Sequence, residues 1–215
     1  MIESARGIIL RTLPLTETSL IVRWLTKEFG RLTTVARGAR RPRSPFQGKL
    51  DLFYEADFSF SRSRRSDLHV LREVSLRNTH DPLRREVLKL QQAAYGAAFV
   101  ELATETETPL PGIFALFRGF LDCLGDAKMP VQMVFAFELK LLRELGLEPP
   151  LEPSGLTAGT RRIVRCLMQG DRQTCLRLRL AGKQAAELRQ FLHGFMIFHL
   201  GRLPRGRGAA LGGEI

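Results

Sequence analysis

Four arginines stand within seven residues, at Arg37, Arg40, Arg41 and Arg43, in the stretch FGRLTTVARGARRPRSPFQGKL (residues 29–50). The stretch also holds Arg31 and Lys49, and no Asp or Glu. A guanidinium presents a planar fork of donors that fits phosphate oxygens in bidentate fashion, so arginines at this density suit a polyphosphate ligand. Uncompensated charge is too costly to bury, and Gly38 and Pro42 interrupt regular structure. The stretch therefore reads as an exposed arginine loop. On its own it fits a solvated, solubilising loop equally well.

Chemistry of other kinds finds little support. Glu55 and Asp57 share one face of an expected strand and could hold Mg²⁺, but no third carboxylate stands near them, and a solvated strand face accounts for both. His69, His80, His193 and His199 lie on separate elements except the last pair, which is six apart rather than at the i,i+4 spacing of a helical metal pair. Cys123, Cys166 and Cys175 are odd in number and irregular in spacing, which argues for reduced, apolar side chains rather than a disulfide framework. GARRPRS lacks the frame of a phosphate-binding nucleotide loop. No catalytic residue, metal or cofactor is expected, and the chain reads as a binding protein rather than an enzyme.

The whole composition agrees with a polyanion partner. The chain has 215 residues, a net charge of +11 and a pI near 10.5. That excess suits nucleic acid, an anionic membrane surface or an acidic protein without choosing among them. Residues 1–80 carry 15 Lys and Arg against 8 Asp and Glu, and are the more basic part per residue. With no apolar run of membrane-spanning or signal-peptide length, a cytoplasmic protein with no membrane partner is expected.

The elements that would position the arginines are β-strands. Gly7–Arg11, Leu20–Leu25, Arg31–Arg37, Phe53–Phe60 and Leu68–Val74 are short apolar or alternating runs separated by turn signals. The second and third should form a hairpin over Lys27–Gly30. In the fourth, Tyr54, Ala56, Phe58 and Phe60 share a face. Five such strands in about 70 residues predict a small barrel of the OB type, whose oligonucleotide surface is the face of strands 2 and 3 and the loops beside it. The loop between strands 4 and 5 then carries Arg62, Arg64 and Arg65, and Arg11 flanks the loop between strands 1 and 2. Trp24 and Phe58 read as core, leaving Phe46 as the expected base-stacking aromatic.

At Asp81-Pro82 the pattern becomes helical, Asp serving as N-cap and Pro as first helical residue. Helices are expected from Leu83 to about Glu105, from Pro111 past Leu124, from Pro130 to Gly146, over Thr160–Met168 and over Gly182–Leu200. In the last, Phe191, Phe195 and Phe198 are expected to pack inward. The predicted architecture is α+β: an OB barrel over residues 1–80, a helical domain over 81–202 with a linker at 147–159, and a flexible tail over 203–215.

Several runs are similar to one family. G-I-I-L-R at Gly7–Arg11, E-T at Glu17–Thr18, T-K-E-F-G-R-L at Thr26–Leu32 and V-A-R-G-A-R-R-P-R-S at Val35–Ser44 resemble the RecO family of bacterial recombination mediators. F-H-L-G-R at Phe198–Arg202 is similar to that family's closing helix. The resemblance implies an N-terminal OB-fold and a helical C-terminal domain. It also implies binding of single- and double-stranded DNA, annealing of complementary strands, and work with RecR and SSB to load RecA on gapped DNA in the bacterial cytoplasm at the nucleoid. Many family members carry a four-cysteine zinc module after the third helix; here that position reads LEPPLEPSGLTAG, without Cys or His, so no zinc is expected.

The DNA-binding set expected from charge and the resemblance together is Arg11, Arg31, Arg37, Arg40, Arg41, Arg43, Lys49, Arg62, Arg64 and Arg65, with Phe46. The family's helical domain binds the acidic, apolar C-terminal tail of SSB, for which Phe135, Phe137, Lys140 and Arg143 could supply an apolar groove with a basic rim. Two other readings stay open: an RNA-binding OB protein, and a scaffold acting mainly through protein partners.

Overall fold

The computed structural model describes residues 1–125, 130–152 and 155–213. Among the described residues five strands come first along the chain: β1 (Ile2–Pro14), β2 (Leu20–Thr26), β3 (Gly30–Ala36), β4 (Glu55–Ser61) and β5 (Leu68–Asn78). They close in the order β1-β2-β3-β5-β4, with β3 and β5 parallel and the other pairs antiparallel. This is the OB-fold expected from the sequence.

Alternation builds the barrel. Val22 and Trp24 of β2, Leu32 of β3, and Ala56, Phe58 and Phe60 of β4 point inward and are buried. The Trp24 ring stacks on Phe58 at 4.1 Å, and its Nε1–H donates to Thr34 Oγ1 at 2.9 Å, so the one polar atom of that ring is satisfied. Gly7 stands where a Cβ would come within 3.0 Å of the Phe58 ring, which is why β1 carries glycine against the stacked pair. Burying the aromatic faces of Trp24, Phe58 and Phe60 favours closure, at roughly 25 cal/mol per Å² of apolar surface removed from water.

Helices follow. A 3-10 turn (Asp81–Arg85) precedes α1 (Val87–Ala103), so the expected helix starting at Leu83 begins with a tighter turn. Then come α2 (Pro111–Gly125), α3 (Gln132–Glu144), α4 (Ala158–Gln169), α5 (Arg172–Arg177), α6 (Gly182–Leu200) and α7 (Arg207–Ala210). Asp171 caps α5, accepting from Thr174 N at 2.8 Å, a short helix that the sequence reading passes over. Gly201, at φ +73°, ends α6. No helix among the described residues is long and apolar enough to cross a membrane.

Packing groups the chain into two compact units, Met1–Arg84 with Thr104–Leu121, and Arg85–Ala103 with Asp122–Ile215. In the first, residues 104–108 run beside β3: Glu107 N donates to Arg31 O at 2.8 Å, and Arg31 bridges to Thr106. Gly30 makes this approach possible, since a Cβ there would lie 1.9 Å from Thr108 O.

Two expectations for the second unit are corrected. Phe198 is 83% exposed; the buried stripe of α6 is Leu188, Leu192 and Met196, one turn apart on a face rotated from the phenylalanines. Over residues 203–213 the tail is docked rather than loose, because Arg207 is buried and forms a bidentate pair with Glu138 Oε1 and Oε2 at 2.8 and 3.0 Å. Tyr95 Oη donates to the same carboxylate, and Gln92 Nε2 donates to Ala210 O at 3.1 Å. Residues 214–215 lie outside the described residues.

Candidate nucleic-acid interface

The arginine loop is a chain of tight turns. Arg41 N donates to Gly38 O at 3.1 Å, Ser44 N to Arg41 O at 3.2 Å, Gln47 N to Ser44 O at 3.1 Å and Lys49 N to Phe46 O at 3.0 Å. Gly38, at φ +68°, supplies a left-handed turn that a β-carbon would disfavour. The loop is also tied to the loop joining β1 and β2. Arg40 N donates to Thr18 O at 2.9 Å, and the Arg40 guanidinium to Thr16 O at 3.3 Å. Phe46 anchors it from below with its ring in the barrel core, 6% exposed. This corrects the expected stacking role of Phe46: Pro45 and Gln47 are exposed around it, but its own ring turns inward and offers no face to a base.

On this scaffold Arg37, Arg40, Arg41 and Arg43 are all exposed. No described carboxylate pairs with any of them, nor with Arg64 or Arg65. Arg43 sits at φ 63°, a region that costs a non-glycine residue about 1 kcal/mol. Loop geometry thus holds several cationic side chains in water and close together, an arrangement that repels itself and is relieved by a polyanion.

The second cluster has a different character. Arg62 is bound rather than free: Nε and Nη2 donate to Glu3 at 2.8 and 3.1 Å, and Nη1 donates to Glu107. Its guanidinium also lies 5.3 Å from the Phe29 ring centroid and 5.7 Å from that of Phe60. The hydrogen bond from Arg62 holds the Glu3 carboxyl below its ordinary range, against burial. At Glu107 burial pushes upward, but the hydrogen bonds from His69 and Arg62 outweigh it and the carboxyl lies low. His69 accepts from Ser63 N at Nδ1, 3.2 Å, and meets Glu107 through Nε2 at 2.7 Å, so its Nε2 carries the proton. This network pins the β4–β5 loop and leaves Arg64 and Arg65 exposed at its tip.

The two clusters sit at opposite ends of the barrel. Pro14 pairs with Leu20 and Leu20 with Ala36, which places the arginine loop beside the β1–β2 loop. Ile2 pairs with Ser61, which places the β4–β5 loop at the other end, beside the N-terminus. The length of a seven-residue strand, roughly 20 Å, separates them.

Other expected contacts fall between these ends. Arg11 pairs across β1 and β2 with Arg23, an exposed arginine that the sequence reading overlooked. Its signal was present: it stands between the inward-facing Val22 and Trp24, so alternation turns it outward. Lys49 is half-buried at the loop's return. The Arg31 guanidinium donates to Thr104 Oγ1 at 2.9 Å and to Thr104 O, so it fastens residues 104–108 to β3.

The expected partner groove on α3 is corrected. Phe135 is fully buried and Phe137 is 2% exposed. The Lys140 ammonium donates to Gly170 O at 2.6 Å, and the Arg143 guanidinium to Met168 O at 2.8 Å. These cations cap the end of α4 within the same unit instead of forming a rim, because α3 is apolar on nearly all sides and is enclosed. A zinc module does not fit these residues either. The segment 147–159 has no Cys or His, and no group of three or more His, Cys, Asp or Glu is placed to hold a metal among the described residues. Residues 153–154 of that segment lie outside the described residues.

A closed OB barrel bearing exposed, carboxylate-free arginines at both ends has the architecture of an oligonucleotide-binding protein. Residues 1–80 match the family model described as Recombination protein O N terminal, and residues 84–155 the model described as Recombination protein O C terminal. The chain is 32% identical to the DNA repair protein RecO of Exiguobacterium sibiricum over 70% of this chain and 60% of that protein. It is 31% identical to the proteins of the same name from Syntrophus aciditrophicus and Bacillus subtilis, over 70% of this chain and 58% of each. These matches span about 60% of the length of the relatives. The chain belongs to the RecO family.

Proposed function

We propose that this protein is a DNA-binding mediator of recombinational repair. It binds single- and double-stranded DNA through the arginine loop, anneals complementary strands, and acts with RecR and SSB to load RecA on gapped DNA in the bacterial cytoplasm. The observation that carries the reading is the set Arg37, Arg40, Arg41 and Arg43, exposed on a turn-built loop with no described carboxylate partner, on an OB barrel. Family membership selects DNA repair over the other uses of such a surface.

Annealing on this surface needs no bond to be made or broken by the protein. Two phosphate backbones repel each other, and guanidinium groups that neutralise part of each lower that repulsion. Contacts to phosphate carry little sequence information, so bases stay free to find their complements. Arg64 and Arg65 supply a second contact at the far end of the barrel, with Arg11 and Arg23 between. The domain division is proposed to follow the same logic, the barrel meeting DNA and the helical part meeting protein partners.

The test is annealing of SSB-coated complementary oligonucleotides by the wild type and by R40A/R41A/R43A. The triple variant is expected to lose most DNA affinity and annealing at moderate salt while melting like the wild type. Unchanged affinity and annealing would overturn the proposal.

A further inference from the structure

Beside the arginine loop lies an open cleft of about 480 Å³, within the range of small-ligand sites at roughly 300–1,000 Å³. Leu20 at the start of β2, Ala39 and Leu50 of the loop, and Tyr54 just before β4 provide its apolar surfaces, with the buried Phe46 beneath. Arg40 and Arg41 also line it. The Tyr54 ring is held by Arg84, whose guanidinium carbon lies 4.8 Å from the ring centroid. Arg84 is itself fixed by Leu52 O at 2.9 Å and by Asp51 Oδ2 at 3.0 Å, Asp51 also lining the cleft, so the aromatic ring is held in place. The Gln47 carboxamide lines the same cleft, is exposed, and makes no hydrogen bond within the described protein.

A half-buried aromatic ring, aliphatic walls, an uncommitted amide and two exposed guanidinium groups without a carboxylate partner, Arg40 and Arg41, in one cleft match the parts of a nucleotide: a flat base, its polar edge and its phosphate. A duplex keeps its bases stacked and paired, and can offer this end of the barrel only phosphates. A single strand can turn a base out. We propose that the cleft takes an unstacked base of single-stranded DNA, with Tyr54 as its platform, Gln47 at the base edge, and Arg40 and Arg41 on the adjoining phosphates. The inference rests on the DNA-binding reading above and gives that surface a preference for single strands that arginines alone would not confer. Since Phe46 is buried, Tyr54 is the aromatic that serves this loop.

The experiment compares affinity for a labelled single-stranded oligonucleotide and for a duplex of equal length, across a salt series, using the full chain. Y54L is expected to weaken single-strand binding roughly 10-fold, in line with the loss of one base–aromatic stack, and to leave duplex affinity within about twofold. R40A/R41A is expected to weaken both and to flatten the salt dependence by about 1.5 in log–log slope. If the arginine variant loses both affinities while Y54L keeps single-strand affinity or loses both equally, the base cleft is overturned and the arginine reading survives. If the arginine variant keeps both affinities, the DNA-binding reading falls, and the cleft with it. Should Y54L melt early, A39L fills the cleft without touching the ring. Single-strand-selective loss in A39L supports the proposal, and full single-strand affinity overturns it.

Discussion

Arg43 is a residue whose backbone and side chain pull in different directions. At φ 63° it occupies a conformation that glycine adopts freely. R43G is therefore expected to raise stability by about 1 kcal/mol, seen as a higher melting temperature, while lowering DNA affinity several-fold. R43A should lose the same affinity without the gain, because it keeps the strain; equal melting of the two variants would show that the backbone carries none. The carboxylates of the barrel behave in a second predictable way. Glu3 is held low by the hydrogen bond from Arg62, and Glu107 is held low by His69 and Arg62 despite burial. At Asp57 burial pushes upward, and Arg6 and Arg77 outweigh it. Folded values below unfolded ones mean that these groups add stability in full above the unfolded glutamate value near 4.3, and lose it as pH falls through the lower folded values. Melting temperature should drop steeply below about pH 4.5, and E3Q should show a shallower drop from a lower starting point.

Elements depend on contacts that join distant parts of the chain. The last of them, α7, is held by a fully buried ion pair, Arg207 with Glu138, to which Tyr95 adds a hydrogen bond. Burial and the adjacent carboxylate drive the Tyr95 phenol well above its ordinary range, so it stays a donor. Removing one partner leaves the other charge buried. R207A is expected to cost about 3–5 kcal/mol in denaturant unfolding, whereas R207M/E138L/Y95F, which removes both charges and the hydroxyl that would be orphaned, should recover most of the loss. At the barrel, G30A would force a β-carbon onto Thr108 O and strain a residue at φ +68°. It should release residues 104–108 and expose the Glu107 contact to Arg62, read as faster hydrogen exchange at Glu107 N, which donates to Arg31 O.

At the scale of the molecule, the separation of the two arginine clusters by roughly 20 Å means that a DNA strand must cross the barrel to touch both. The Arg11–Arg23 pair stands on β1 and β2 between the two ends. Each phosphate contact on duplex DNA adds about 0.9 to the log–log salt slope. R64A/R65A should therefore lower the slope by about 2 for long oligonucleotides and leave it unchanged for those too short to span the barrel. A reduced slope for both lengths would place the clusters on one surface.

Much of this was legible in the sequence for local physical reasons. Alternation in Phe53–Phe60 and the hairpin around Gly30 specify strands whatever lies far away in the chain, and an uncompensated run of arginines must face water. The five barrel strands and the exposure of Arg37, Arg40, Arg41 and Arg43 followed from these, while the order in which the strands close did not. What tertiary structure alone decided were matters of pairing at long range. Arg62 reads as one more free cation until Glu3 and Glu107, 59 and 45 residues away, close around it. Arg207 reads as part of a loose glycine-rich tail until Glu138, 69 residues earlier, receives it. Phe46 stands alone between turn residues, without a periodic pattern to give its direction, and only the closed barrel beneath it shows that it turns inward. Charge density and periodicity are properties of neighbouring residues, so the chain states them directly; the partner of a charge and the lid of a core are properties of three dimensions.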